Sequence, residues 1–154
     1  MRRNPFAVAA VLVLSVNTSN CNLTDPVDHP VAGFSHSVAT FQCGPADGPA
    51  TAILLARDPI EGLDPSRPYV RVVIQRQASA LPGTAWIVGS MLGDVSAVYS
   101  TASGATEQAR SGTVRITSVA AQERVEGNVE LRFPSHVVSG GFSAPWIESF
   151  ILCG

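Results

Sequence analysis

Between residues 124 and 133 the chain reads RVEGNVELRF, and its apolar and polar positions alternate. Val125, Val129, Leu131 and Phe133 fall on one side with Gly127, while Glu126, Asn128, Glu130 and Arg132 fall on the other. A helical template through Val125, Asn128, Val129 and Arg132 collects only two apolar residues in four, so period two wins. Val114 and Ile116 alternate with Thr113, Arg115 and Thr117 just upstream, and Val138, Phe142 and Ala144 share one face just downstream. The links between these runs, AAQE and PSH, are short. Together they predict an antiparallel meander with one face in water.

Similar β-prone runs recur along most of the chain: VATFQC, TAILLA, YVRVVIQRQ, AWIVGS, DVSAVYS, GTVRITSV, VVSGGFSA and ESFILC. Turn residues separate them at intervals of roughly eight to twelve, the spacing of an all-β sandwich or barrel. The predicted fold is therefore all-β, a mostly antiparallel β-sandwich or small β-barrel. Gly140 and Gly141 interrupt one run and predict a bulge or a tight bend where the sheet curls. ATEQAR and AAQER are the only helix-friendly stretches, each too short to stand as a helix without packing. The loop ARDPIEGLDPSRP is the longest clear interruption and is too short to divide domains.

The amino end is organised differently. Arg2 and Arg3 precede the apolar stretch PFAVAAVLVLSV and then the polar NTSN, the layout of a secretory signal over residues 1–20. A stretch of twelve residues falls short of the roughly twenty that a permanent bilayer-spanning helix needs. Small residues are poorly placed for an ordinary cleavage site. With its short AVAAVLVLSV core, Ser19 and Cys21, the segment resembles a bacterial lipoprotein leader, although Asn20 stands where Gly or Ala is usual and Thr18 where Leu is usual. That resemblance implies cleavage before Cys21 and lipidation of its thiol, giving a membrane anchor; secretion without lipid is the alternative. More than one acyl chain, at about 0.8 kcal/mol per buried methylene, holds a protein on a membrane durably. Residues 21–37, rich in proline and aspartate and without periodicity, read as a flexible tether, leaving 38–154 as a single β domain.

Composition narrows the partners. Ten basic residues, all arginine, stand against twelve acidic ones, and removal of a leader makes the balance more acidic. This argues against nucleic acid, which needs a clustered basic face. Three cysteines are an odd number for an exported chain. If Cys21 is modified, Cys43 and Cys153 are free to pair, tying the first strand to the last. Closing a loop of about 110 residues would stabilise by roughly 4 to 5 kcal/mol in the chain-entropy model. The alternative is two buried free thiols.

Gly112 to Thr117, Arg124 to Gly127, Val138 to Pro145 and Cys153 together resemble the carboxyl-terminal half of uncharacterised β-rich secreted lipoproteins of bacteria. The resemblance covers under half the chain, and WIESFIL before the cysteine departs from it. It implies an exported location, on the outer membrane or cell surface or else periplasmic or extracellular, and a β architecture. It carries no activity.

No set of side chains announces chemistry. His29 and His36 lie near Asp25 and Asp28, a weak arrangement for a transition metal, and His136 sits in the turn PSHVV. Asp58, Glu61 and Asp64 lack the DxDxDG arrangement of a calcium loop, and VSGGFS is no GxSxG elbow. No catalytic, cofactor or metal residue is assigned. Trp86, Trp146, Tyr69 and Tyr99 would fill a core or line a pocket for an apolar ligand. The expected role is that of a non-catalytic cell-envelope lipoprotein with a structural or protein-binding task, with a small β-barrel binding an apolar small molecule as the alternative.

Overall fold

The computed structural model describes residues 31–44, 48–89, 93–120, 123–149 and 153. The expected signal segment, Cys21, His29 and the first part of the expected tether lie outside them. Nine strands form one curled, mixed sheet: β1 (His36–Cys43), β2 (Pro49–Ala56), β3 (Tyr69–Ile74), β4 (Ala85–Val88), β5 (Val95–Ser100), β6 (Thr106–Gln108), β7 (Ser111–Ala120), β8 (Arg124–Arg132) and β9 (Val137–Ile147). Their order across the sheet is β4-β7-β8-β9-β1-β2-β3-β5-β6. The expected all-β, mostly antiparallel architecture is present, wound as a half-barrel whose parallel contact is β1 beside β9, through Ala39 opposite Trp146 and Thr40 opposite Ile147.

The curl is tight because β6 leads straight into β7. At the junction the Ala109 N–H donates to the Ala97 carbonyl on β5, and the next N–H, of Arg110, donates to the Arg132 carbonyl on β8. One stretch of chain thus changes partners and joins the two halves of the sheet. The short segment ATEQAR, read as helix-friendly, supplies β6. Pairing with β5 decides its conformation, since three residues have no intrinsic preference strong enough to resist a neighbouring strand.

Inward side chains from both halves meet in one core. Ile53, Leu55, Val70, Val72 and Ile74 pack with Val114, Ile116, Val125, Leu131 and Val138, each 1% exposed or less. The meander β7-β8-β9 behaves as its alternation predicts: Val125, Gly127, Val129 and Leu131 are buried, and Arg124, Asn128, Glu130 and Arg132 are exposed. Of the bulge or tight bend expected at Gly140 and Gly141, the bulge lies elsewhere. The register shift lies in β7 between Ile116 and Ser118, whereas Gly140 and Gly141 stay in register with Val129 and Asn128. Gly140 holds a φ of 143° that side-chain-bearing residues rarely adopt. At the bulge, Gly127 lies opposite Ile116, and a Cβ there would sit 2.3 Å from the Arg115 carbonyl oxygen. Strand contact this close requires glycine.

The folded body also starts earlier than expected. Val31 is 2% exposed and Phe34 8%, and the Val31 and Ala32 N–H groups donate to the carbonyls of Gly141 and Ser139 on β9. Residues 31–37 are therefore not tether; His36 and Ser37 belong to β1. Proline-rich composition hid two apolar residues whose burial is decided by the sheet they dock against. At the other end, ESFILC does not continue as a strand at Glu148 and Ser149. The Ser149 hydroxyl donates to the Phe41 carbonyl at 2.8 Å, so the chain still tracks β1. Cys153 is bonded to Cys43 with Cα atoms 5.5 Å apart.

Candidate functional site

Strand β2 departs from the pattern of the meander. Its sequence PATAILLA is buried at every position after Pro49, on both faces. Thr51, Ile53 and Leu55 point into the core, so Ala50, Ala52, Leu54 and Ala56 occupy the outer face where β8 carries charge and amide. The connection 57–68 turns back toward this face and brings Leu63, Asp64 and Pro65 to the same cleft as Ala52 and Leu54; a bridge within it joins Glu61 and Asp64. Pro65 is buried there.

Between this connection and the sheet lies a cleft of about 270 Å³. Ala52 and Leu54 form its floor, Thr40 and Gln42 belong to β1 on one flank, Tyr69 and Arg71 to β3 on the other, and Leu63, Asp64 and Pro65 come from the covering loop. Registers explain the flanks: Ala52 pairs with Thr40 on β1, and Leu54 pairs with Arg71 on β3. Because the outward side chains of β2 are mostly alanines, the arginine side chain reaches over that strand, and its guanidinium donates to the Gln42 side-chain oxygen. Among the described residues Arg71 meets no carboxylate within 4.0 Å. Asp64 lines the same cleft without pairing to it. A guanidinium offers five N–H donors in a planar fork, so most of this group's capacity is unspent.

A second cluster gathers around His136, in the turn between β8 and β9. The Ser135 hydroxyl lies 2.7 Å from Glu107 Oε2 on β6 and 2.7 Å from His136 Nδ1, and the Ser135 backbone N–H donates to the same carboxylate oxygen at 3.2 Å. Serine has one proton to give. Donated to the carboxylate, it leaves Nδ1–H of the imidazole to donate to the serine oxygen, which places a proton on Nδ1. The imidazole stacks on Phe133 with ring centroids 5.2 Å apart and meets the Tyr99 ring at 4.3 Å. Its Nε2 is covered and has no hydrogen-bond partner among the described residues. The order is carboxylate, hydroxyl, imidazole. A serine hydrolase needs the imidazole between the other two, so this geometry latches the β8–β9 turn to β6.

The remaining residues singled out in the sequence are dispersed. His36 is exposed on β1. Among the described residues no group of three or more His, Cys, Asp or Glu gathers at metal-holding distance, Asp58, Glu61 and Asp64 included. Trp86, Tyr99 and Trp146 pack half-buried against the core, and Tyr69 lines the outer cleft. A further hollow of about 350 Å³ lies open over Thr113, Arg115, Asn128, Glu130 and Ser139, in the polar outer face of the meander. Among the described residues no helix is long and apolar enough to cross a membrane. The cleft over β2 was not foreseen; its signal was present as an apolar run with no polar alternation directly before a long proline-rich loop.

No protein-family model, curated protein or solved structure matches this chain.

Proposed function

We propose that the protein is an exported, non-catalytic lipoprotein of the cell envelope, held on a membrane through Cys21 and presenting its β domain for binding. The observation that carries the binding role is the contrast between interior and exterior. Side chains fill the inside of the curled sheet, with Ile53, Leu55, Ile74, Ile116 and Leu131 fully buried, whereas a cleft opens on the outside with an arginine that meets no carboxylate among the described residues. A filled interior weighs against an internal carrier of apolar ligands, which needs an enclosed chamber. The anchor rests on the leader-like stretch ending at Cys21 and on the pairing of the other two cysteines, which leaves Cys21 as the odd thiol. From there to Val31, nine residues would span at most about 30 Å fully extended, so the domain would lie close to the surface.

Mass spectrometry of the mature amino terminus, after export from a bacterial host, tests this reading. The expected result is a chain beginning at Cys21 and carrying the mass of a diacylglyceryl group. An unmodified chain beginning elsewhere would exclude the anchor.

A further inference from the structure

The cleft over β2 combines four features that together specify a ligand. Its floor is apolar and low, made by Ala52 and Leu54. Its volume of about 270 Å³ falls just under the usual range for drug-sized ligands, enough for a single side chain and its neighbouring polar groups. Arg71 offers a cationic fork whose one partner among the described residues is the neutral amide of Gln42. Asp64, of opposite sign, faces the same space from the covering loop without closing a salt bridge across it. Two opposite charges sharing a partly enclosed cleft with an apolar floor, and not paired with each other, complement a molecule that carries the inverse pair beside an apolar group.

We propose that this cleft binds a carboxyl-terminal aminoacyl group with an apolar side chain, as a free amino acid or as the end of a peptide chain. Arg71 takes the carboxylate, since two parallel N–H donors match its two oxygens. Asp64 accepts from the adjoining nitrogen, an ammonium in the free amino acid and an amide N–H in a chain. The side chain lies on Ala52 and Leu54 beneath Leu63, which is 38% exposed and so has apolar surface left to cover. The inference rests on the binding role proposed above and is independent of the lipid on Cys21.

Calorimetric titration of the mature exported protein with phenylalanine, N-acetylphenylalanine and N-acetylphenylalaninamide tests it. At least one of the two acids should bind saturably, and the amide should bind about tenfold more weakly or worse, the scale of one lost charge-assisted contact. Arg71→Gln should weaken the acid by a similar factor with an unchanged unfolding midpoint. Tighter binding of phenylalanine identifies a free amino acid as the ligand, and tighter binding of the acetylated acid identifies a chain terminus. No saturable binding of either acid at millimolar concentration, or equal binding of acid and amide by the wild-type protein, would overturn the proposal. A lipid-modified Cys21 together with that negative result would dismiss the site alone and leave the envelope reading standing.

Discussion

The meander β7-β8-β9 and the triplet β1-β2-β3 use the same antiparallel ladders but meet different surroundings. On the outer face of β8 stand Glu126, Asn128, Glu130 and Arg132; on the outer face of β2 stand Ala50, Ala52, Leu54 and Ala56. The difference follows from the connections. Residues 133–136 turn directly from β8 to β9, too short to cover anything, whereas residues 57–68 between β2 and β3 are long enough to fold back over the sheet. A covered outer face no longer needs polar side chains, and small ones leave space under the cover. Surface chemistry on this molecule is thus distributed by loop length as much as by strand sequence.

The largest expected effect breaks the triplet's edge. Removing the Cys43–Cys153 bond by Cys153→Ser should lower unfolding free energy by about 4 to 5 kcal/mol, as cross-linking residues 110 apart restricts the unfolded chain. Urea denaturation measures the loss, and hydrogen exchange should rise first in β1 rather than in the meander. Next in size, Leu54→Ala should cost about 2 to 3 kcal/mol although Leu54 lies on the outer face, because it is 5% exposed. Asn128→Ala, outward on β8, should stay within about 0.5 kcal/mol. This pair separates the two outer faces on one scale.

Within the meander, Gly127→Ala should cost about 1 to 3 kcal/mol, since the new Cβ meets the Arg115 carbonyl and the Phe142 ring. Thermal unfolding reads it. Ser135→Ala, which removes the hydroxyl linking Glu107 to His136, should cost about 1 kcal/mol. The same variant should sharpen the His136 imidazole's nuclear magnetic resonance signature toward free tautomer exchange.

The meander was legible because each of its residues faces one environment only. Alternation from Val125 to Leu131 states which side is buried, and the short links state which strands are neighbours. Eight of the nine strands announce themselves as β-prone runs between turn residues. β6 does not, because its three residues become a strand through their partners on β5. Val31 and Phe34 were hidden for a related reason: their burial comes from docking on the sheet, and their neighbours Pro30 and Gly33 read as linker. The pairing of Cys43 with Cys153 followed from cysteine arithmetic. The cleft was less accessible. An apolar run such as TAILLA shows that both faces of a strand are covered but never says by what, and the encounter of Arg71 with Gln42 depends on register across three strands.

The outer face of β2 at Ala52 and Leu54 lies under a folded connection, while that of the meander lies in water. Hydroxyl-radical footprinting of the folded protein tests it most directly. Leu54 should be modified as slowly as its core neighbour Leu55, while Ile87 and Val137, 63% and 51% exposed, should be modified rapidly. Modification of Leu54 at the rate of Ile87 would mean that the connection does not cover the strand, and would contradict the account.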